Sequence, residues 1–390
     1  MSVKRSIIFT VVLSFFLINS LSAQFTERKW SLNGHLQTLN NVWVPPSSGQ
    51  WQTMTSLTNR LDFRWYPSRS FSLHIGGRNI MNLGQMVQAN YPYYAEIATM
   101  ETGFLELTKQ WISDSSYFIY SNVDRANVKF IAGKFEITAG RQRINWGVNM
   151  VWNPNDIFNT FNYFDFDYVE RPGCDAVHMQ YYTGSTSSLQ FAFKLDNDKD
   201  ITTALMYKFN KWNYDFQFFG GLMEQDLVAG AGWSGDIEGA GFTGELSYFL
   251  DKDKNVDTNG VFVGSIGLNY TFSNSLYIAG SYLYNSAGTT GPAGYGTVFT
   301  LFLDINAKTF TRARHSVFAQ ASYPITPLIK VDAAAIFNPN DKSGFFGPSV
   351  DFSLTSNISL FLISQIFWGD PLTEFGDYGT LTYLRLKWSF

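Results

Sequence analysis

The chain has 390 residues, of which 17% are aromatic and only 15% charged, and its formal net charge is −4. That excess is too small to argue for nucleic acid or an acidic membrane face, and the charge content falls short of the roughly 25% usual in a soluble domain. A single cysteine, Cys174, excludes an internal disulfide and reads as a buried or lumenal thiol.

Residues 1–23 read as a secretory signal peptide. Lys4 and Arg5 precede an apolar run from Ile7 to Ile18, which is shorter than the roughly 20 residues a spanning helix needs, and small residues lead to a cleavage site after Ala23. Downstream no apolar run is long enough for a helical span, so residues 24–390 are either soluble and exported or a membrane β-barrel. Period-two alternation favours the barrel. Leu61, Phe63 and Trp65 oppose Arg60, Asp62 and Arg64, and Ile201, Leu205, Tyr207 and Phe209 oppose Thr202 and Lys208. Leu246, Tyr248 and Leu250 oppose Glu245 and Ser247, while Ile329, Val331, Ala333 and Ala335 oppose Lys330 and Asp332. A charge on the lipid face near the midplane costs roughly 2 to 4 kcal/mol, so each strand's phase is fixed.

Short connections rich in Pro, Gly, Ser or Asn fall at 66–69, 132–133, 183–187, 210–211, 235–239, 273–275, 324–327 and 356–357. Longer or more polar ones fall at 43–50, 81–115, 147–172, 196–200, 223–226, 251–259, 286–310, 339–345 and 369–378. Eight turns and nine loops predict one all-β, antiparallel barrel of eighteen strands, with sixteen as the alternative. Short helices are expected within the loops, over 101–112 and within 298–310. Two irregularities stand out. The outward set of 117–131 switches phase near Asp124, which implies a bulge or two separate elements. After Phe135 and Ile137, the alternation would carry Arg141 and Arg143 to the lipid side unless Gly140 marks a bulge.

From Gly147 the alternation stops. Trp152, Phe158, Phe161, Tyr163, Phe164, Phe166 and Tyr168 are interleaved with Asn, Asp, Pro154 and Pro172, too aromatic for water and too broken for a strand or helix. The expectation is that this stretch folds into the barrel as a constriction. Arg141, Arg143, Trp152, Asp156, Asp165, Asp167, Glu170 and Arg171 are its candidate residues, and Arg60, Asp62, Arg64, Lys330, Asp332, Arg385 and Lys387 are further lumenal charges. The charged members could equally do no more than pin the loop in place.

In the last strand Thr382, Leu384, Leu386, Trp388 and Phe390 share one face, opposed by Tyr383, Arg385 and Lys387. An aromatic C-terminal residue on such a strand resembles the closing strand of Gram-negative outer-membrane barrels, which implies recognition by the barrel-assembly machinery.

Other motifs carry less. Gly230, Gly232 and Gly235 spell GxGxxG, but a short turn and another alternating strand follow, so small residues in a strand are the reading. Asp251, Asp253, Asn255 and Asp257 alternate like a calcium loop, yet Val256 stands where that loop needs Gly and Phe262 where it needs Glu. His35, His74, His178 and His315 are spread too widely for a metal, and nothing pairs His178 or His315 with a nucleophile. Neither a cofactor nor a metal is expected.

The run GRQxxNWG from Gly140, WNPxD from Trp152 and ERPGxDA from Glu170 resembles a family of outer-membrane barrels of poorly defined function, distantly similar to porin-like and alginate-export barrels. The resemblance covers about residues 134–177 and implies a non-enzymatic channel surrounded by outer-membrane lipid. The expected function is passive passage of a small, partly apolar organic solute. The alternatives are a closed barrel that docks partners and a lipid-active hydrolase.

Overall fold

The computed structural model describes residues 29–46, 49–160, 162–167, 171–252, 260–294 and 305–390, so the signal-peptide reading lies outside the described residues. The wall begins with β1 (Trp30–Val44), β2 (Gln52–Ser68) and β3 (Phe71–Leu83), followed by helices α1 (Gln85–Ala89) and α2 (Tyr93–Thr99) and the short strand β4 (Thr108–Ser113). It continues with β5 (Tyr117–Ala132), β6 (Phe135–Gln142), β7 (Cys174–Tyr182), β8 (Ser188–Leu195), β9 (Ile201–Lys211), β10 (Tyr214–Met223) and β11 (Asp226–Ile237). Then come β12 (Ala240–Asp251), β13 (Val261–Thr271), β14 (Tyr277–Asn285), β15 (His315–Thr326) and β16 (Ile329–Asn338). The last three are β17 (Ser343–Ser353), β18 (Ile358–Trp368) and β19 (Thr380–Ser389).

Every strand except β4 pairs antiparallel with its neighbour around the ring, and β19 returns to β1 with Leu36 opposite Trp388 and Thr38 opposite Leu386. Eighteen strands therefore close a barrel, as the turns and loops predict. Closure matters because an open edge would leave backbone N–H and C=O groups unpaired in hydrocarbon. The terminal residue takes part: Phe390 and Gly34 exchange both backbone hydrogen bonds at 2.9 Å.

The two faces of the wall follow the alternation. Leu205, Leu246, Leu384 and Leu386 are exposed on the outside, whereas Thr202, Glu245, Ser247 and Tyr383 are buried towards the lumen. This belt of exposed apolar side chains around a closed sheet places the protein in the outer membrane. The phase switch in β5 is a bulge: Gly76 pairs with Arg125 and Gly77 with Val123, so Asp124 and Arg125 both face inward.

Residues 101–112 form no helix. They are extended, and the helices of this loop lie before them. The reason is a step in the wall: β6 stops pairing with β5 at Ala126 opposite Arg141, nine residues short of the upper end of β5. β4 takes the vacated place, pairing Thr108 with Asn122 and Ser113 with Phe118. Before it, the chain runs across the tops of three strands, with Gly103 bridging to Asp196 beyond β8, Leu105 at Asp175 of β7, and Leu107 accepting from Val123 N of β5. The expected helix within 298–310 lies partly outside the described residues, and 305–310 are not helical.

Candidate functional site: the segment inside the barrel

Between β6 and β7 the chain leaves the wall at Gln142 and rejoins it at Cys174. The described residues between them run around the inside of the barrel. Trp146 meets Gln190 of β8 and Phe219 of β10, and its carbonyl accepts from Gln217 at 2.6 Å. Residues 148–155 then dock on β11 to β13. Glu245 of β12 accepts from the main-chain N–H of Val148, of Asn149 at 2.8 Å and of Asn155 at 2.9 Å. Asn155 Nδ2 donates to Ala231 O at 3.0 Å, Ser247 Oγ to Pro154 O at 2.9 Å, and Asn149 Nδ2 to Ser265 O at 3.2 Å.

The aromatic run follows further round the wall, past β14. Trp152 and Tyr163 pack on Phe318 of β15 with centroids 6.3 and 5.2 Å away, and Phe164 sits among Phe345, Phe367 and Phe375. Phe166 packs on Tyr383 of β19 at 4.7 Å and on Phe361 of β18. These are edge-on or tilted contacts, the arrangement favoured by ring quadrupoles, each contributing about 0.5–1.5 kcal/mol beyond area burial. Asp167 then reaches β1 and β19, accepting from Gln37 at 3.0 Å and from Arg385 at 3.5 Å. Finally Arg171 O accepts from Arg125 of β5 at 2.7 Å, and the chain rejoins the wall.

The candidate residues do not gather at one place. Trp152 and Asp156 lie inside the segment and are buried; Asp156 Oδ1 faces Trp146 N, and its Oδ2 lacks a hydrogen-bond partner. Asp165 lies within electrostatic reach of Tyr94, Tyr120 and Tyr383. Arg143 is exposed and donates to Asn145 at 2.8 Å; Arg171 lies within its electrostatic reach. Glu170 lies outside the described residues.

Arg141 belongs elsewhere. It donates to Asp175 through Nε at 2.9 Å and Nη2 at 2.7 Å, to Leu105 O at 2.7 Å, and pairs with Glu101 at 3.0 Å. Asp175 has the phase of Val177, Met179 and Tyr181, the outward face of β7, so this buried cluster sits under the strap of residues 101–107 and pins it to the wall. Of the two outcomes the alternation leaves for Arg141, the structure shows the outward one, with protein covering the charge. The strap must come close here: a Cβ at Gly103 would lie 2.1 Å from Arg141 Nη2.

The further lumenal charges are mostly paired. Arg60 is buried against Asp124 at 2.6 Å and Asp62 at 3.0 Å, Arg64 reaches Asp62 at 3.4 Å, and Lys330 holds Asp332 at 3.0 Å. Arg385 lies over the Phe361 ring besides meeting Asp167, and Lys387 follows it on the same face of β19. The glycine motif serves packing: a Cβ at Gly230 would meet the Phe219 ring at 2.2 Å, and one at Gly232 the Asn155 amide at 2.8 Å.

Sequence reasoning passes over Glu245. The alternation places it towards the lumen, but its partners are backbone amides ninety or more residues away, which no side-chain pattern announces. It also misses the cap over the mouth. There Glu374 accepts from Asn338 at 3.0 Å, its own N–H donates to Asp341 at 2.7 Å, and Phe375 and Tyr378 close on Phe367. Burial, and then the neighbouring Asp341 charge, push the Glu374 carboxyl up to about 8. Metal-binding groups of three or more His, Cys, Asp or Glu are absent among the described residues.

No family model and no curated protein matches the chain in sequence, so the resemblance carried by the GRQxxNWG, WNPxD and ERPGxDA runs rests on those residues alone. Solved structures do match. The outer membrane protein OprD from Pseudomonas aeruginosa is 10% identical with a TM-score of 0.59, the match covering 93% of each chain. OccAB2 of Acinetobacter baumannii is 11% identical with a TM-score of 0.57, over 92% of this chain and 98% of its own. OccK7 of Pseudomonas aeruginosa is 10% identical with a TM-score of 0.56, over 94% of this chain and 99% of its own. At these identities the likeness is one of fold: this chain has the architecture of an outer-membrane β-barrel protein of that kind.

Proposed function

We propose that the protein is an outer-membrane channel for the passive passage of a small, partly apolar organic solute, with residues 143–173 as its narrow part. The observation that carries this reading is the course of the described residues of that segment, which leave the wall at β6 and pass inside β10 to β13, β15 to β19 and β1 before the chain rejoins at β7. An eighteen-stranded wall is wide enough for an aqueous lumen, and a segment lining it from within reduces the bore without opening the sheet. Lumenal charges of both signs, largely neutralising one another, argue against strong ion selectivity. Aromatic side chains along the inner segment suit a solute with an apolar part. The likeness to solved outer-membrane proteins supports the setting rather than the solute.

The second reading is a closed barrel that docks a partner through its loops, and the packing of Phe164, Phe367, Phe375 and Tyr378 beneath the capped mouth favours it. Purified, folded protein in planar bilayers decides between them. Steady single-channel openings, with uptake of small organic solutes into liposomes, support the channel. Silence of a barrel that remains folded by its heat-modifiable migration supports the closed reading.

A further inference from the structure

We propose that Glu245 is the residue that positions the inner segment, and so sets the width of the passage; this rests on the channel reading above. Glu245 stands in the middle of β12 on its lumenal face and is fully buried. Four other carboxylates inside the barrel meet cations: Asp62 and Asp124 meet Arg60, Asp332 meets Lys330, and Asp167 meets Arg385. The hydrogen-bond partners of Glu245 are instead three main-chain N–H groups, two from Val148 and Asn149 and one from Asn155. A carboxylate facing converging amides is held by their dipoles, as in an anion nest, except that the anion here belongs to the wall and the nest to the segment.

Three consequences follow. The anchor reads backbone, so it fixes the path of residues 148–155 whatever their side chains are. It draws two stretches onto one point, closing them into a compact turn that Asp156 N completes by donating to Asn153 O at 2.9 Å. Losing the carboxylate would leave three N–H groups without that acceptor, the buried one of Asn155 costing about 1–3 kcal/mol and the part-buried ones of Val148 and Asn149 less. Neighbouring contacts from Ser247 and Gln217 are neutral hydrogen bonds to carbonyls and satisfy none of those donors. The rings of Tyr163, Phe164 and Phe166 are seated on β15 to β19 by contacts of their own, so releasing the anchor frees mainly residues 148–155.

The test compares Glu245→Gln and Glu245→Ala with the parent, all confirmed as folded barrels, by single-channel conductance and by hydrogen exchange. Glutamine keeps the volume but turns a donor towards amides that are themselves donors. The expected result is faster exchange at Val148, Asn149 and Asn155, by about tenfold in the Gln variant and more in Ala. Amides of residues 162–166 should keep their protection, and conductance should rise in the order parent, Gln, Ala. Should the Ala variant fail to fold, the Gln variant alone decides. Unchanged exchange at the three amides overturns the anchor. Faster exchange with unchanged conductance overturns its role in setting the width. A parent that is silent in bilayers overturns the channel reading instead, and the exchange measurement still judges the anchor.

Discussion

The two halves of the inner segment are held by different physics. Residues 146–155 lie against β10 to β13 mainly through directed polar contacts converging on one buried carboxylate, with Trp146 on Phe219 and Trp152 on Phe318 as their ring contacts, whereas residues 162–166 lie against β15 to β19 mainly through rings packed on rings. A polar anchor fails abruptly, because removing one member leaves several buried groups unsatisfied. An aromatic cluster fails gradually, since each ring contributes its own burial and its neighbours close part of the gap. The comparison predicts one half with a single point of failure and one that loosens ring by ring.

The largest effect sharpens the setting in which both halves work. Removing residues 388–390 takes away the end of the β19–β1 seam, where His35 faces Ser389 and Leu36 faces Trp388, together with the Phe390 hydrogen bonds to Gly34, leaving backbone groups at that end of the closure unpaired. Membrane insertion is expected to be abolished, as judged by the fraction of heat-modifiable barrel in outer-membrane extracts. Next comes Arg141→Ala, which leaves buried Asp175 and half-buried Glu101 without their cation. A loss of about 3–5 kcal/mol is expected, seen as a lower midpoint in denaturant, with new protease cleavage in residues 101–107.

A smaller loss is expected from the aromatic half. Phe164→Ala removes a ring that meets Tyr163, Phe345, Phe367 and Phe375, at a cost of about 3 kcal/mol. Protection of residues 162–166 from hydrogen exchange should fall while that of 148–155 holds, the reverse of the Glu245 variants. If both halves loosen together in either variant, the division between them is wrong.

The smallest effect is on pH. The ordinary carboxyl of Glu374 titrates near 4.5, and in the folded cap it titrates near 8, so the folded form binds the extra proton between those values. The stability it lends the cap is fully present below about 4.5 and is lost as pH rises through about 8. Protease cleavage in residues 369–379 should therefore speed up between pH 5 and pH 9, by about several-fold, and Glu374→Gln should flatten that profile.

What the sequence makes legible follows from periodicity. Wall strands alternate because one face meets lipid, so the phases of Arg60 to Trp65 and Glu245 to Leu250 are readable residue by residue, and turn residues mark the hairpins. The inner segment is recognisable by its aromatic content and its prolines, but not its partners. Phe164 packs on residues some two hundred positions later, and Glu245 meets backbone amides. The strap misleads because its extended path is imposed by the short reach of β6, a tertiary fact, and not by its own pattern. Arg141 illustrates the same limit. The alternation places it on the outer face, and only the strap explains how a charge can stand there.

The most direct test of the central claim, that residues 143–173 line and narrow the lumen, is the single-channel conductance of a barrel lacking residues 153–168. The account predicts normal folding and a conductance several-fold above that of the full chain, with Arg143→Ala raising it less. A folded deletion variant whose conductance and solute uptake equal those of the parent would contradict it, and would make the segment a lining that narrows nothing.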